Sequence, residues 1–441
     1  MRIQRVRIEN FKCFKSADIE LGKITLLTGA NSSGKSSFLY SILGPLQSGE
    51  FPFQFAPNGK YVTMGNFQEM CHRQIKENKI KIGFQLLEDG NDRKKNFFGG
   101  LSRLKLKKYE IRINTWWQEE NIRKLPELEK LEWISEGSER IELSISKKEK
   151  YTLHYRFDLD SSELASAKEF DFSEIDDGKL SGTMEFSNFK MSEELNNVDF
   201  LHFRKKRIDY TKETFSFLES KINFINSFRL FPDRTQYETP KTDLKVGKFG
   251  EDYINQIIFW ETNEPDKYKE LLEIMKSLSL LEDIRAKRFE GGRFDLAVKV
   301  NNKSVLASLS DVGFGISQFL PIIVADLQLG KGSTLLVAQP EIHLHPSVQA
   351  DFGDYMVGQV KNSDKNYIIE THSEYLLNRL RLAIVKKEIS PEDVKVYFLK
   401  NDGESSQFHC LEFTTDGQIL NAPEDFFKTY MMDVMNIALN A

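Results

Sequence analysis

Apolar and polar residues alternate from the start of the chain. Ile3, Val6 and Ile8 stand against Arg2, Gln4, Arg5 and Arg7, the pattern of a half-buried strand. Asn10-Phe11-Lys12-Cys13-Phe14 reads as a turn, residues 17–21 as a second short strand, and Gly22 as a break. An apolar run over residues 24–27 predicts a third strand, and residues 36–43 predict a helix. Pro45, Gly49, Pro52, Pro57 and Gly59 then mark an irregular connection. From about residue 75 to 225 the pattern becomes strand-like: residues 79–87, 105–114, 140–146 and 151–159 read as strands, with some helix near 125–135. Residues 211–231 and 250–280 read as helices, and 289–300 as a strand region with a Gly291-Gly292 turn. A helix over 317–329 follows, with Pro321 near its first turn, where the missing N–H does little harm.

The later strands differ from the earlier ones. Thr334-Leu335-Leu336-Val337 and Tyr367-Ile368-Ile369 are continuous apolar runs, as expected of parallel strands covered on both faces. Residues 393–399 and 408–413 flank Asn401-Asp402-Gly403, a hairpin signal. Phe427, Met431, Val434 and Ala438 then describe an amphipathic helix. The expected class is α/β, a mixed sheet with flanking helices. Four segments are predicted: 1–74, the first half of an α/β domain; 75–225, a β-rich insertion; 226–389, the second half of that domain; and 390–441, a hairpin and helix. No heptad run, internal repeat or low-complexity tract interrupts this plan.

Composition narrows the picture. The chain has 441 residues, 40% hydrophobic and 29% charged, which suits a globular protein with a sizeable core. A formal net charge of −5 does not suggest a wholesale nucleic-acid binder, so any such surface is a local patch. Arg93-Lys94-Lys95 and Arg204-Lys205-Lys206-Arg207 are the candidates, with Trp116-Trp117 as the aromatic pair near a basic stretch. Cys13, Cys71 and Cys410 are far apart and odd in number, which argues against a disulfide framework and fits a reducing cytoplasm. No apolar run approaches the roughly 20 residues that span a bilayer, so no membrane is expected.

The chemistry concentrates at Gly29-Ala30-Asn31-Ser32-Ser33-Gly34-Lys35-Ser36-Ser37, which fits the phosphate-loop pattern between a strand and a helix. Gly29 and Gly34 let the backbone curl so that N–H groups point at phosphates, and the helix N-terminus adds partial positive charge. Asn31, Ser32, Ser33 and Ser37 line the loop; Lys35 would meet the β- and γ-phosphates and Ser36 a Mg²⁺ ion, so ATP and Mg²⁺ are the expected cofactors. Gln54 and Gln68 are available for the metal side of the nucleotide. A second constellation begins with the Gly/Ser loop 308–318, containing Ser310, Gly313 and Gly315. It continues through Gln339-Pro340-Glu341-Ile342-His343-Leu344-His345-Pro346 and ends at Glu370-Thr371-His372-Ser373. His343 and His345 with His372 could make a zinc site, but the flanking Pro346 favours an interface loop.

In this order the motifs resemble the ABC-type ATPase heads of the structural-maintenance-of-chromosomes, RecF and OLD group. They are similar in particular to stand-alone bacterial ATPases of anti-phage defence, the PtuA type of Septu. The resemblance covers roughly residues 1–70 and 240–441. It implies an ABC-type head with a β-rich insertion and no long coiled coil, working as a homodimer or higher oligomer with ATP between subunits. Ser310, Gly313 and Gly315 would be the signature presented to the partner's nucleotide, and His372 the switch histidine. The stretch after Ser373 is too short for the nuclease domain of OLD-type proteins, so a separate effector, a nuclease, is the expected partner. The rival reading is a repair or chromosome-associated ATPase that clamps DNA directly; a third is a nucleotide-dependent interaction protein. One departure bears on mechanism. The family's carboxylate pair falls at Ala338 and Gln339, neither of which can act as a base, and Glu341 lies two residues beyond. Slow ATP hydrolysis is therefore expected.

Overall fold

The computed structural model describes residues 1–88, 109–120, 122–136, 140–147, 151–158, 175–176, 179–186, 214–238, 245–423 and 426. The basic clusters at 93–95 and 204–207 and the amphipathic run at 427–438 lie outside these residues. The chain forms two compact units. One comprises Met1–Leu21, Ser37–Ser220 and Asn401–Ser406; the other comprises Gly22–Ser36, Lys221–Lys400 and Gln407–Ala441.

Among the described residues the first unit holds a nine-stranded antiparallel sheet. Its strands are β1 (Arg2–Phe11), β2 (Phe14–Glu20), β4 (Ile80–Glu88), β5 (Tyr109–Glu119), β6 (Pro126–Glu136), β7 (Arg140–Lys147), β8 (Tyr151–Asp158), β9 (Ile175–Asp176) and β10 (Lys179–Phe186). They run in the order β2-β1-β4-β5-β6-β7-β8-β10-β9. Because β4 pairs with β1, the strands of the β-rich stretch continue the N-terminal hairpin. Directly opposed residues share a face. Two rows, Val6–Phe84–Ile113–Trp133 and Ile8–Ile82–Thr115–Leu131, are buried throughout. Thr115 is tolerated in its row because its hydroxyl donates to the Ile82 carbonyl at 2.8 Å and accepts from the Trp117 indole at 2.8 Å.

Pro126–Glu136 is a strand, not the helix expected near 125–135. Leu128 and Leu131 are both buried, a three-residue spacing that imitates a helical stripe. The pairing explains it: Trp117 faces Leu128 and Trp116 faces Lys130, so Glu129 is an extra residue in a bulge. The bulge returns Leu128 and Leu131 to one face. Trp116 is no vacant stacking surface, since its cross-strand neighbours Lys81 and Lys130 set their ammonium groups 5.1 and 4.8 Å from the ring centre.

Among the described residues the second unit is built on a seven-stranded mixed sheet, ordered β11-β16-β17-β3-β18-β19-β20. These are β3 (Ile24–Gly29), β11 (Ile222–Ile225), β16 (Thr334–Ala338), β17 (Asn366–Glu370), β18 (Val394–Asn401), β19 (Ser406–Phe413) and β20 (Ile419–Leu420). The first five are parallel, and β11, β16 and β17 are buried along their whole length. The helix expected over 211–231 therefore stops short: 214–220 is helical, but Ile222–Ile225 pairs with β16. All four residues are covered, and the Asn223 amide is satisfied by the Val246 carbonyl at 3.0 Å, so no amphipathic stripe exists there.

Among the described residues this unit holds the helices Tyr253–Asn263, Pro265–Ser277, Phe314–Gln328, Pro346–Ser363 and Glu374–Val385. The expected helical region 250–280 is thus two helices, divided where Pro265 opens the second. The helix expected from 317 begins at Phe314, which places Pro321 in its interior. A separate hairpin, Asp283–Arg288 and Arg293–Lys299, turns through Gly291 and Gly292 at φ of 77° and 71°, values suited to glycine. The sequence pattern showed only its second strand. No described helix is long and apolar enough to cross a membrane.

One buried polar cluster ties helices to sheet. Asp326, fully buried on Phe314–Gln328, accepts from Lys365 Nζ at 2.9 Å and from the hydroxyls of Tyr355 and Tyr367. Burial, reinforced by the Asp326 charge, drives both tyrosine pKa values well up, so both remain hydroxyl donors. Asp326→Ala would leave the Lys365 cation only the backbone carbonyl at position 326, and we expect a loss of about 3–5 kcal/mol in urea denaturation. A loss under about 1 kcal/mol would show that the pair does not hold these elements together.

Candidate functional site

The phosphate loop starts where β3 ends. Gly29 has φ +135°, and a Cβ there would lie 2.2 Å from the Leu399 carbonyl oxygen, so the close approach of β18 admits only glycine. Ser32 and Gly34 also take positive φ, 60° and 105°, which closes the turn. The helix Lys35–Gln47 then begins. Lys35 is 4% exposed, and its ammonium donates to the carbonyls of Gly29 at 3.0 Å and Ala30 at 2.8 Å. Burial lowers its pKa, while the charges of Glu370 and Glu341 oppose the shift. Asn31 and Ser32 are exposed on the loop, and Ser37 follows in the first helical turn. Ser33 Oγ is buried without a hydrogen-bond partner among the described residues. Ser36 donates its hydroxyl to the Glu370 carboxylate, at 2.8 Å to Oε2 and 3.1 Å to Oε1.

The ends of two neighbouring strands complete this corner. Ala338 on β16, Glu370 on β17 and Leu27 on β3 lie in one row of the parallel ladder. Gln339 then turns sharply at φ 47° and donates its N–H to the Glu370 carbonyl at 2.6 Å. Glu341 is held by two donors, the Thr371 hydroxyl at 2.8 Å and the His372 N–H at 2.7 Å. Burial and then the Lys35 charge lower the His372 pKa, against the pull of Glu341, so its imidazole is neutral at neutral pH. Glu370 shifts upward through burial, with Ser36 and Lys35 opposing and Glu341 reinforcing. Lys35, Ser36, Glu341, Glu370 and His372 are therefore electrostatically coupled.

Two residues of this corner escaped sequence reasoning. Glu370 stands in the strand end Glu-Thr-His-Ser, but only the register shows that it adjoins Ala338 and reaches Ser36. Arg229 has no motif around it. It is 3% exposed and donates to four carbonyls: Asn226 at 2.9 Å, Gln318 at 3.1 Å, Ala338 at 3.0 Å and Gln339 at 2.7 Å. Burial lowers its pKa to about 10, with the Glu341 charge opposing, and it stays protonated at neutral pH.

The Gly/Ser loop forms no hydrogen bond to the phosphate loop among the described residues. Ser310 instead shares a hydrogen bond with Ser308 at 2.9 Å, and Ser308 donates to Asp295 at 2.7 Å. Gly315 is required within the chain, because a Cβ would sit 2.8 Å from the His343 carbonyl oxygen. Gly313 is not: its φ is −55°, and a Cβ would meet nothing within 4 Å. The histidines do not converge on a metal. His343 packs 5.5 Å from the Phe314 ring, and His345 caps Pro346–Ser363 by accepting the Ser347 N–H. No described group of three His, Cys, Asp or Glu side chains could hold an ion. Gln54 and Gln68 are exposed in the first unit.

The loop has the chemistry a nucleoside triphosphate needs. A buried ammonium rests on backbone carbonyls, the orphaned Ser33 hydroxyl lacks an acceptor, and a helix begins at the same point. Ser36, already on a carboxylate, suits a hard divalent ion. Among solved structures, the chain is similar to a Pyrococcus furiosus Smc head domain with an extended coiled coil bound to the C-terminal domain of ScpA. That likeness has 12% identity and a TM-score of 0.41, over 99% of this chain and 98% of that one. It is also similar to an Smc head bound to the C-winged helix domain of ScpA, with 13% identity and a TM-score of 0.43, over 93% and 98%. A third likeness is the SMC head domain from Thermotoga maritima, with 10% identity and a TM-score of 0.36, over 92% and 98%. No curated protein matches. The AAA ATPase domain family matches residues 1–377, most of the chain, and the protein accordingly belongs to that family of nucleotide-binding ATPases.

Proposed function

We propose that this protein is an ABC-type ATPase head that binds Mg-ATP and associates around it as a homodimer or higher oligomer. In this state it controls a separate effector, a nuclease, in cytoplasmic anti-phage defence. The carrying observation is an asymmetry in the corner just described. The phosphate-loop side carries a buried ammonium at Lys35 and a carboxylate-bound hydroxyl at Ser36, whereas β16 ends at Ala338 and leads into Gln339. Mg-ATP, when bound, supplies an electrophilic γ-phosphorus with its oxygen charge partly neutralised. Lys35 answers the phosphate charge, and neutral His372 can hydrogen-bond without adding charge. The Gln339 amide can orient a water but cannot take its proton. Glu341 could take one, but both its oxygens already accept hydrogen bonds from Thr371 and His372. An ATP-held state that decays slowly suits a scaffold or sensor better than a motor.

Gly313 supports the assembly part of the reading. The fold of one chain does not need its missing side chain, whereas a closely approaching second subunit would.

Lys35→Ala should weaken ATP binding by several kcal/mol, about the cost of removing one partner of a desolvated charged contact. Unchanged affinity by calorimetry would remove the site from the phosphate loop. Gly313→Trp should leave nucleotide binding by the monomer intact and block association with ATP, read by light scattering. A Gly313→Trp protein that still associates through ATP refutes the shared-site assembly. Gly315 is unsuited to this test, since its substitution would disturb the His343 loop. Wild-type phosphate release should be slow, and Gln339→Glu should raise it by on the order of 10-fold by supplying a base. Brisk wild-type turnover abolished by Glu341→Gln would make Glu341 the working base and end the slow-ATPase reading.

A further inference from the structure

Glu370 is the buried carboxylate that the proposed chemistry has not yet used. It is 5% exposed at the end of β17. An ionised carboxylate offers about four acceptor sites. Ser36 is the one side chain seen to donate to it among the described residues. A carboxylate so buried and so sparsely bonded is costly to keep ionised unless a cation completes its surroundings. A purely structural role is poorly served by this choice, because a glutamine at the same place could accept from Ser36 without burying a charge. Its row partner across the ladder, Ala338, has no functional group. Lys35, whose charge Glu370 feels, is already committed to the carbonyls of Gly29 and Ala30.

We propose that Glu370 is the carboxylate that positions Ser36 and the hydration shell of the nucleotide's divalent cation, acting from the strand next to the one that ends at Ala338. Resting on the ATP-site reading, the proposal makes Glu370 a positioning residue. Its oxygens accept from Ser36 and from cation-bound water, so the hydroxyl lone pair of Ser36 faces the ion. The two strand ends are interchangeable for this purpose because Ala338 and Glu370 are register partners, about 4.8 Å apart across the ladder. An acid grafted at 338 should therefore recover what is lost at 370.

The test titrates Mn²⁺, followed by electron paramagnetic resonance, into the full-length protein bound to the non-hydrolysable analogue AMP-PNP. AMP-PNP affinity is measured separately by calorimetry in EDTA. Glu370→Gln keeps the shape and can still accept from Ser36. It should lower Mn²⁺ affinity by roughly 10–100-fold, the usual effect of losing a carboxylate that orients a metal's ligands. AMP-PNP affinity in EDTA should stay at the wild-type value or tighten. The double variant Ala338→Asp with Glu370→Thr should bind Mn²⁺ more tightly than Glu370→Thr alone, and it serves as the second test should Glu370→Gln fold poorly. Wild-type Mn²⁺ affinity in Glu370→Gln, or no gain from the aspartate at 338, would overturn the proposal while leaving the nucleotide site standing. A wild-type protein that binds no AMP-PNP in EDTA or in Mn²⁺ would overturn the ATP-site reading and this inference with it.

Discussion

The site depends on the register of one parallel ladder. Pairing between β16, β17 and β3 sets Ala338, Glu370 and Leu27 in a single row, two residues before the phosphate loop begins its turn at Gly29. A slip of one residue would turn Glu370 to the opposite face and separate it from Ser36. The ladder is fixed because these strands are buried on both faces, so any other register would expose apolar side chains or bury polar ones. The lower rows, such as Leu26–Ile369–Val337–Ile225, supply the apolar weight that holds the polar row in place.

On that frame the electrostatics are mutually compensating. Lys35 loses hydration but gains two carbonyls and two nearby carboxylate charges. Glu341 gains two short hydrogen bonds from the segment that carries His372. His372 stays neutral through burial and the Lys35 charge together. Each charge of the corner thus has fixed partners within the folded chain, which polarise one another and hold the side chains in one arrangement.

The sequence made some of this legible. The phosphate loop, the buried runs of β16 and β17 and the strands on either side of Asn401-Asp402-Gly403 follow from local pattern, because turn chemistry and hydrophobic period are local properties. The failures have a common cause. Leu128 and Leu131 show a helical spacing only because Glu129 bulges against β5, a fact of pairing rather than of the segment itself. Ile222–Ile225 is a strand because β16 lies beside it. Glu370 and Arg229 acquire their roles from residues over 100 positions away: Ser36 meets Glu370 across 334 positions, and Arg229 reaches Ala338 across 109. No window along the chain contains that information.

Arg229 carries a consequence for how the site responds to its medium. Its guanidinium is solvated by four backbone carbonyls instead of being paired with an acid, so its charge is housed rather than cancelled. Mobile ions cannot enter the shell that surrounds it, and shielding by salt acts weakly on buried charges. The pull between Arg229 and the half-buried Glu341 is therefore weakened less by added salt than the attractions among the exposed lysines and acids of the same protein.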